Sequence, residues 1–225
     1  MGNVARNLES VRERIGHAAT RAGRDSREVT LVAVSKGRPL EMIHEAAQAG
    51  QRVFGENRAQ ELRDKIDRLA VDLEWHFIGH LQRNKVNMVI GKAALVHSVD
   101  SRRLLEAVAF RAEELEIVQD ILLQVNVSGE ESKYGMEEEG MEGMLEAALA
   151  LPAVRVRGLM TIAPLEAEEK TRPCFRRLRE LRDVLARDFS PLDLGILSMG
   201  MTQDFEVALE EGANMVRIGT AIFAA

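Results

Sequence analysis

Near the start of the chain the apolar run Val29-Thr30-Leu31-Val32-Ala33-Val34-Ser35 leads into a lysine, Lys36. Such an unbroken run of β-branched and aliphatic residues reads as a strand buried on both faces, as in a parallel sheet. A turn residue or an apolar plug is expected at its end, not an amine. A partly desolvated lysine amine is a nucleophile toward carbonyls and a candidate Schiff-base former. In isolation the simpler account of Lys36 is a loop lysine reaching solvent, so its surroundings must decide. Two glycine segments near the other end offer complementary chemistry: Ser198-Met199-Gly200-Met201-Thr202 and Arg217-Ile218-Gly219-Thr220. Glycine lets backbone approach an anion closely, and Ser and Thr hydroxyls add donors. Each segment alone also reads as a tight turn.

The elements around these residues bring them together. Strands are expected over 29–36, 52–57, 74–80, 94–100, 119–128, 154–163, 194–201 and 215–223. Helices fit between them over 39–49, 58–71, 81–91, 101–116, 137–150, 166–188 and 203–211. Strands alternating with helices imply a parallel α/β architecture, and eight of them select a closed (β/α)8 barrel of the TIM type. The chain stops right after the eighth strand, so no helix is expected there. An amphipathic helix carrying Val4, Leu8, Val11, Ile15, Ala18 and Ala22 precedes strand one and is expected to cover that gap. No linker or low-complexity stretch divides residues 1–225, which read as one domain. The polar stretch 129–141 is expected to be a mobile loop at the carboxyl rim.

In a closed barrel, strand one neighbours strand eight. Lys36 then lies at the carboxyl rim, beside the loops after strands seven and eight, where such barrels often hold phosphate. An aldehyde that carries a phosphate satisfies both, and pyridoxal 5′-phosphate (PLP) is such a molecule. A PLP site needs a group beside the pyridine nitrogen, and Arg217 is placed to supply it. Arginine does not give up a proton to that nitrogen, which leaves the ring a weak electron sink. A salt bridge at the sheet end is the competing role for Arg217.

These blocks carry a resemblance to the YggS/PROSC family of pyridoxal phosphate homeostasis proteins. It rests on VAVSKGRP at 32–39, FGENRAQE at 54–61, WHFIGHLQRNK at 75–85, HSVDS at 97–101, QVNVS through SKYG at 124–135, GLMTI at 158–162, LSMGMTQDF at 197–205 and VRIGTAIF at 216–223. The resemblance implies a barrel similar to the N-terminal domain of alanine racemase. It implies PLP held as an internal aldimine by Lys36, phosphate at Ser198, Met199, Gly200, Met201, Gly219 and Thr220, and Arg217 at the pyridine nitrogen. Asn57 would line the pocket. Thr202 stands where the family commonly has Ser.

Other residues are weighed against simpler roles. His76 and His80 lie four apart on an expected strand, ~13 Å, too far to share a metal ion. His97 points into the barrel or packs, with no role assigned. Asp204 reads equally as a helix-start carboxylate or a support of the phosphate loop. Lys133 is a candidate second amine for PLP exchange, against the simpler role of a solvent-exposed loop lysine. One cysteine, Cys174, rules out an internal disulfide, and a net charge of −6 argues against nucleic acid and anionic membrane partners. No signal-like or membrane-length apolar segment occurs, and a cytoplasmic location is expected.

The expected function is a PLP carrier and buffer in intracellular PLP homeostasis, serving PLP-requiring apoenzymes transiently, as a monomer or weak dimer. The alternative is an amino-acid racemase, which needs a second acid/base opposite the lysine. The single tyrosine, Tyr134, sits in a polar loop, so no such base is identified. A barrel enzyme acting on a phosphorylated sugar is a third reading.

Overall fold

The computed structural model describes residues 2–69, 72–129, 134–164, 168–190 and 192–224. Lys133 lies outside these residues, as do 165–167 at the expected start of the seventh helix. Eight parallel strands close into a barrel in sequence order. They are β1 (Thr30–Val34), β2 (Val53–Glu56), β3 (Glu74–Phe77), β4 (Leu95–Val99), β5 (Gln119–Gln124), β6 (Val154–Met160), β7 (Ile196–Ser198) and β8 (Met215–Ile218). Closure comes from β1 pairing with β8, where Val32 sits opposite Arg217 and Ala33 opposite Ile218.

The helices between them are α2 (Leu40–Gln48), α3 (Ala59–Arg68), α4 (Val86–Val89), α5 (Arg102–Glu114), α6 (Met141–Leu149), α7 (Glu168–Asp188) and α8 (Phe205–Glu210), with α1 (Asn3–Arg21) preceding β1. After β8 the described residues form one turn, α9 (Thr220–Phe223). The helix α1 takes the place of a covering helix. Val4, Leu8, Val11, Ile15 and Ala18 are buried on one face, and α1 packs against α2, α8 and α9. Asn7 Nδ2 donates to the carbonyls of Ile222 and Ala224, both at 3.1 Å, tying the first helix to the last turn.

All eight strands are shorter than the expected ranges, and most of the lost residues are at the carboxyl ends. The expected strand 215–223 ends at Ile218 and turns into α9, while 194–201 shrinks to Ile196–Ser198. Ile78, Ile162 and Met201 are apolar because they line a cavity beyond the last ladder bonds, not because they belong to strands. The expected helix 81–91 also starts late, as a 3-10 turn at Arg83–Lys85 followed by α4.

Two cores result, as barrel geometry requires. Strand faces turned outward pack against the helices in one large cluster. Inside, Val32, Leu95, Leu122, Met160 and Met215 make a separate apolar layer. Polar residues accompany that layer on the inner face, where His76, His97, Ser198 and Arg217 are all buried.

Candidate functional site

Lys36 lies two residues past the end of β1, in a turn that several groups hold from below. Arg38 N donates to Ser35 O at 3.0 Å, and Gly37 adopts φ +65°, a conformation that favours glycine. The Lys65 ammonium, on α3, donates to Ser35 O at 2.7 Å and meets Glu56 Oε1 at 2.5 Å; Ser35 Oγ donates to the same oxygen at 2.7 Å. Glu61 accepts from Gly37 N at 2.8 Å. Partial burial pushes the Glu61 carboxyl up, but the Gly37 amide and Lys65 outweigh it and hold the group below its ordinary value. The turn is therefore pinned on its inner side while Lys36 itself is exposed. The desolvation expected for its amine is not seen, because the residue stands on a turn at the rim and not within the strand.

The Lys36 side chain borders a cavity of about 340 Å3 at the carboxyl end of the barrel, at the small end of the ~300–1,000 Å3 usual for ligand sites. Asn57, Arg217, Met201, Gly219 and Thr220 border the same cavity. Arg38, Ile78, Ile162, Thr202 and Gln203 also line it; Ile78 and Ile162 fall in the expected strands 74–80 and 154–163 and Thr202 in a glycine segment, while no sequence pattern singles out Arg38 or Gln203. Ser198 and Met199 are fully buried and lie behind the lining. Gly200 is fixed by shape: its φ is +93°, and a Cβ there would meet Ala208 Cβ at 2.6 Å and Phe205 Cα at 2.9 Å. A Cβ on Gly219 would approach Val34 O to 3.1 Å, beside the end of β1.

Arg217 reaches the cavity from the barrel interior. Its Nη1 donates to Ser198 Oγ at 2.7 Å and its Nη2 to Thr161 O at 2.9 Å. Burial pushes the guanidinium down to about 10, opposed by the Asp204 carboxylate, so the group stays cationic at neutral pH. The salt bridge weighed as its simpler role is not formed among the described residues. Asp204 stands before α8, and its carboxylate accepts from Met201 N at 2.5 Å, which folds the loop after β7. Burial raises the Asp204 carboxyl, while the Met201 amide and Arg217 act the other way.

His97 does point into the barrel, with Nδ1 2.9 Å from Ser198 Oγ and Nε2 3.0 Å from His76 Nδ1. Burial holds the His97 imidazole well below its ordinary value, helped by the nearness of His76 and Arg217. His80 is separate from this pair. It sits at the rim, 3.3 Å from Asp100 Oδ2 and stacked on Tyr134 with ring centroids 4.0 Å apart. The strand pattern left open whether His97 points inward or packs, and nothing local in the sequence paired it with His76.

The residues fit a phosphorylated aldehyde. A lysine amine, a buried cation, two hydroxyls and a glycine that admits close approach share one cavity, and Asn57 Oδ1 is a buried acceptor without a partner at its wall. Fold and cavity define a class, the barrel of alanine racemase N-terminal domains, and that family's profile matches residues 5–225. A pyridoxal phosphate homeostasis protein of Aquifex aeolicus is 51% identical over 223 residues, 98% of this chain and 97% of that protein. The solved structure of PipY of Synechococcus elongatus PCC7942, with PLP bound, is 36% identical with a TM-score of 0.88, covering 98% of this chain and 100% of that chain. The chain belongs to the alanine racemase N-terminal-domain family and, within it, to the pyridoxal phosphate homeostasis proteins. Alanine racemase from Corynebacterium glutamicum is 18% identical with a TM-score of 0.71, a likeness of fold alone, covering 97% of this chain and 61% of that chain.

Proposed function

We propose that this protein binds PLP at the Lys36 cavity and buffers or delivers it within the cell, without a dedicated turnover of its own. The observation that carries the reading is the convergence of Lys36, Arg217 and the Gly219–Thr220 segment on one cavity, in a chain whose relatives are named for PLP homeostasis. Bound PLP supplies an aldehyde that condenses reversibly with a primary amine, releasing water. Lys36 offers that amine from a fixed turn. Thr220 and Thr202 hydroxyls and the Gly219 backbone suit the phosphate, Asn57 suits the cavity wall, and Arg217 suits the ring nitrogen as a donor that keeps its own proton. Exposure of Lys36 favours exchange with outside amines over water-excluded catalysis. PLP-requiring apoenzymes are the proposed transient acceptors, with the protein working in the cytoplasm as a monomer or weak dimer.

Among the described residues no helix is long and apolar enough to cross a membrane. The test has two stages. Protein mixed with PLP is expected to turn yellow and, after borohydride reduction, to carry the cofactor mass on the peptide containing Lys36. Loaded protein is then incubated with L- and D-amino acids in deuterated water. Slow α-proton exchange is expected, and rapid exchange with both enantiomers would overturn the carrier in favour of the racemase.

A further inference from the structure

The barrel interior holds a line of side chains that the cavity itself does not account for. Glu74 Oε1 lies 2.8 Å from His76 Nε2, His76 Nδ1 3.0 Å from His97 Nε2, His97 Nδ1 2.9 Å from Ser198 Oγ, and Ser198 Oγ 2.7 Å from Arg217 Nη1. The line begins at the first residue of β3, half-exposed at the amino end of the barrel. It ends under the cavity at the opposite end, and the three residues between Glu74 and Arg217 are buried.

The two ends determine where every hydrogen sits. Arg217 has donors only, and an ionised Glu74 has acceptors only. His76 must therefore donate from Nε2 to Glu74. A neutral imidazole carries one N–H, so His76 Nδ1 accepts, and His97 donates to it from Nε2. His97 Nδ1 then accepts the Ser198 hydroxyl hydrogen, which leaves the Ser198 lone pairs facing Arg217. Any other arrangement sets two donors or two acceptors against each other, or needs a charged imidazole in a buried interior. Depression of the His97 imidazole by burial agrees with a neutral ring at that position.

We propose that Glu74, His76, His97 and Ser198 are positioning residues whose one-directional hydrogen-bonded chain makes Ser198 a dedicated acceptor and so fixes the Arg217 guanidinium at the cavity. Thr161 O holds the second nitrogen, and the remaining N–H groups are left for the ligand. The inference rests on reading the cavity as a PLP site, with Arg217 toward the ring nitrogen. It makes a half-exposed carboxylate at the far end of the barrel a determinant of how PLP is held.

Two measurements test it. In ligand-free protein, long-range 15N–1H spectra of the imidazoles are expected to show Nδ1 unprotonated and Nε2 protonated in both His76 and His97. A protonated His97 Nδ1 would overturn the chain. In the second, PLP affinity and the absorption band of bound PLP are compared between wild type, Glu74→Ala and His97→Gln. Glu74→Ala is the variant least able to disturb folding, because its side chain reaches solvent. It is expected to weaken PLP binding about tenfold, the loss associated with one charge-assisted hydrogen bond, to shift the absorption band and to mix the His97 tautomers. Equal affinity and an unshifted band in Glu74→Ala would sink the positioning role, whatever His97→Gln does. If wild type binds no PLP, the functional reading fails by itself, and the tautomer spectrum still decides the chain.

Discussion

Lys36 is set apart from the other lysines by where its neighbours leave it. Ser35 and Gly37 are each bonded from below, while the amine between them is exposed at the cavity edge. Its placement at the cavity edge is what offers the amine to a carbonyl. Lys36→Arg keeps the charge and most of the stem yet removes the nucleophile, since a guanidinium does not deprotonate in proteins. Unfolding by urea is expected to stay within ~0.5 kcal/mol of wild type, as for an exposed substitution. Mass spectrometry after PLP and borohydride is expected to find no adduct on the peptide spanning residue 36. An adduct of equal yield on another lysine would remove Lys36 from its proposed role. The lysine itself is visible in the sequence because it interrupts an apolar pattern. The turn of Gly37 and Arg38 that presents it at the cavity edge is not.

Between elements, the turn after β1 is anchored to β2 and α3 by one buried ion pair. Glu56 is fully buried, its Oε1 bonds Lys65 and Ser35, and its Oε2 has no partner. A buried charge that loses its counterion is far more costly than an exposed one. Lys65→Met is therefore expected to cost about 3–5 kcal/mol, and the double variant Glu56→Gln with Lys65→Met to recover much of that loss. Urea midpoints of the two variants decide the matter; a neutral single variant would show that the pair anchors nothing. PLP binding is expected to fall with the single variant as well, because Ser35 O loses its hold on the Lys36 turn. Element order was legible in the sequence, since parallel strands buried on both faces leave continuous apolar runs such as Leu31–Val34. Their carboxyl ends were not. Ile78, Ile162 and Met201 are as apolar as strand residues, but they serve a cavity. Likewise the Glu56–Lys65 pair joins a strand to a helix nine residues on, and no periodic pattern reports a buried charge pair.

At the scale of the molecule, the barrel encloses an apolar layer and a polar line, and the two respond differently to solution conditions. The apolar layer is indifferent to pH. The polar line contains His97, whose imidazole burial holds well below its ordinary value of 6.5. As pH falls below ~6.5, the unfolded chain takes up a proton at this histidine while the folded chain does not. Stability is thus fully present above that value and lost as pH falls, by about 1.4 kcal/mol per pH unit for one such group. A second window opens lower. Glu74 is held below its ordinary 4.5 by its hydrogen bond to His76, and Glu210 by Arg172, so their contributions fade only as pH falls through those depressed values. The raised carboxyl of Asp204 has the opposite sign and offsets part of that loss. Urea midpoints taken between pH 7.5 and 5.0 are expected to be flat at the top of the range and to decline from about pH 6.5, well before the carboxylates titrate. His97→Gln cannot titrate, so its midpoint, though lower throughout, is expected to stay level down to about pH 5. A parallel decline in wild type and His97→Gln would mean that the buried imidazole is not what couples this barrel to acid.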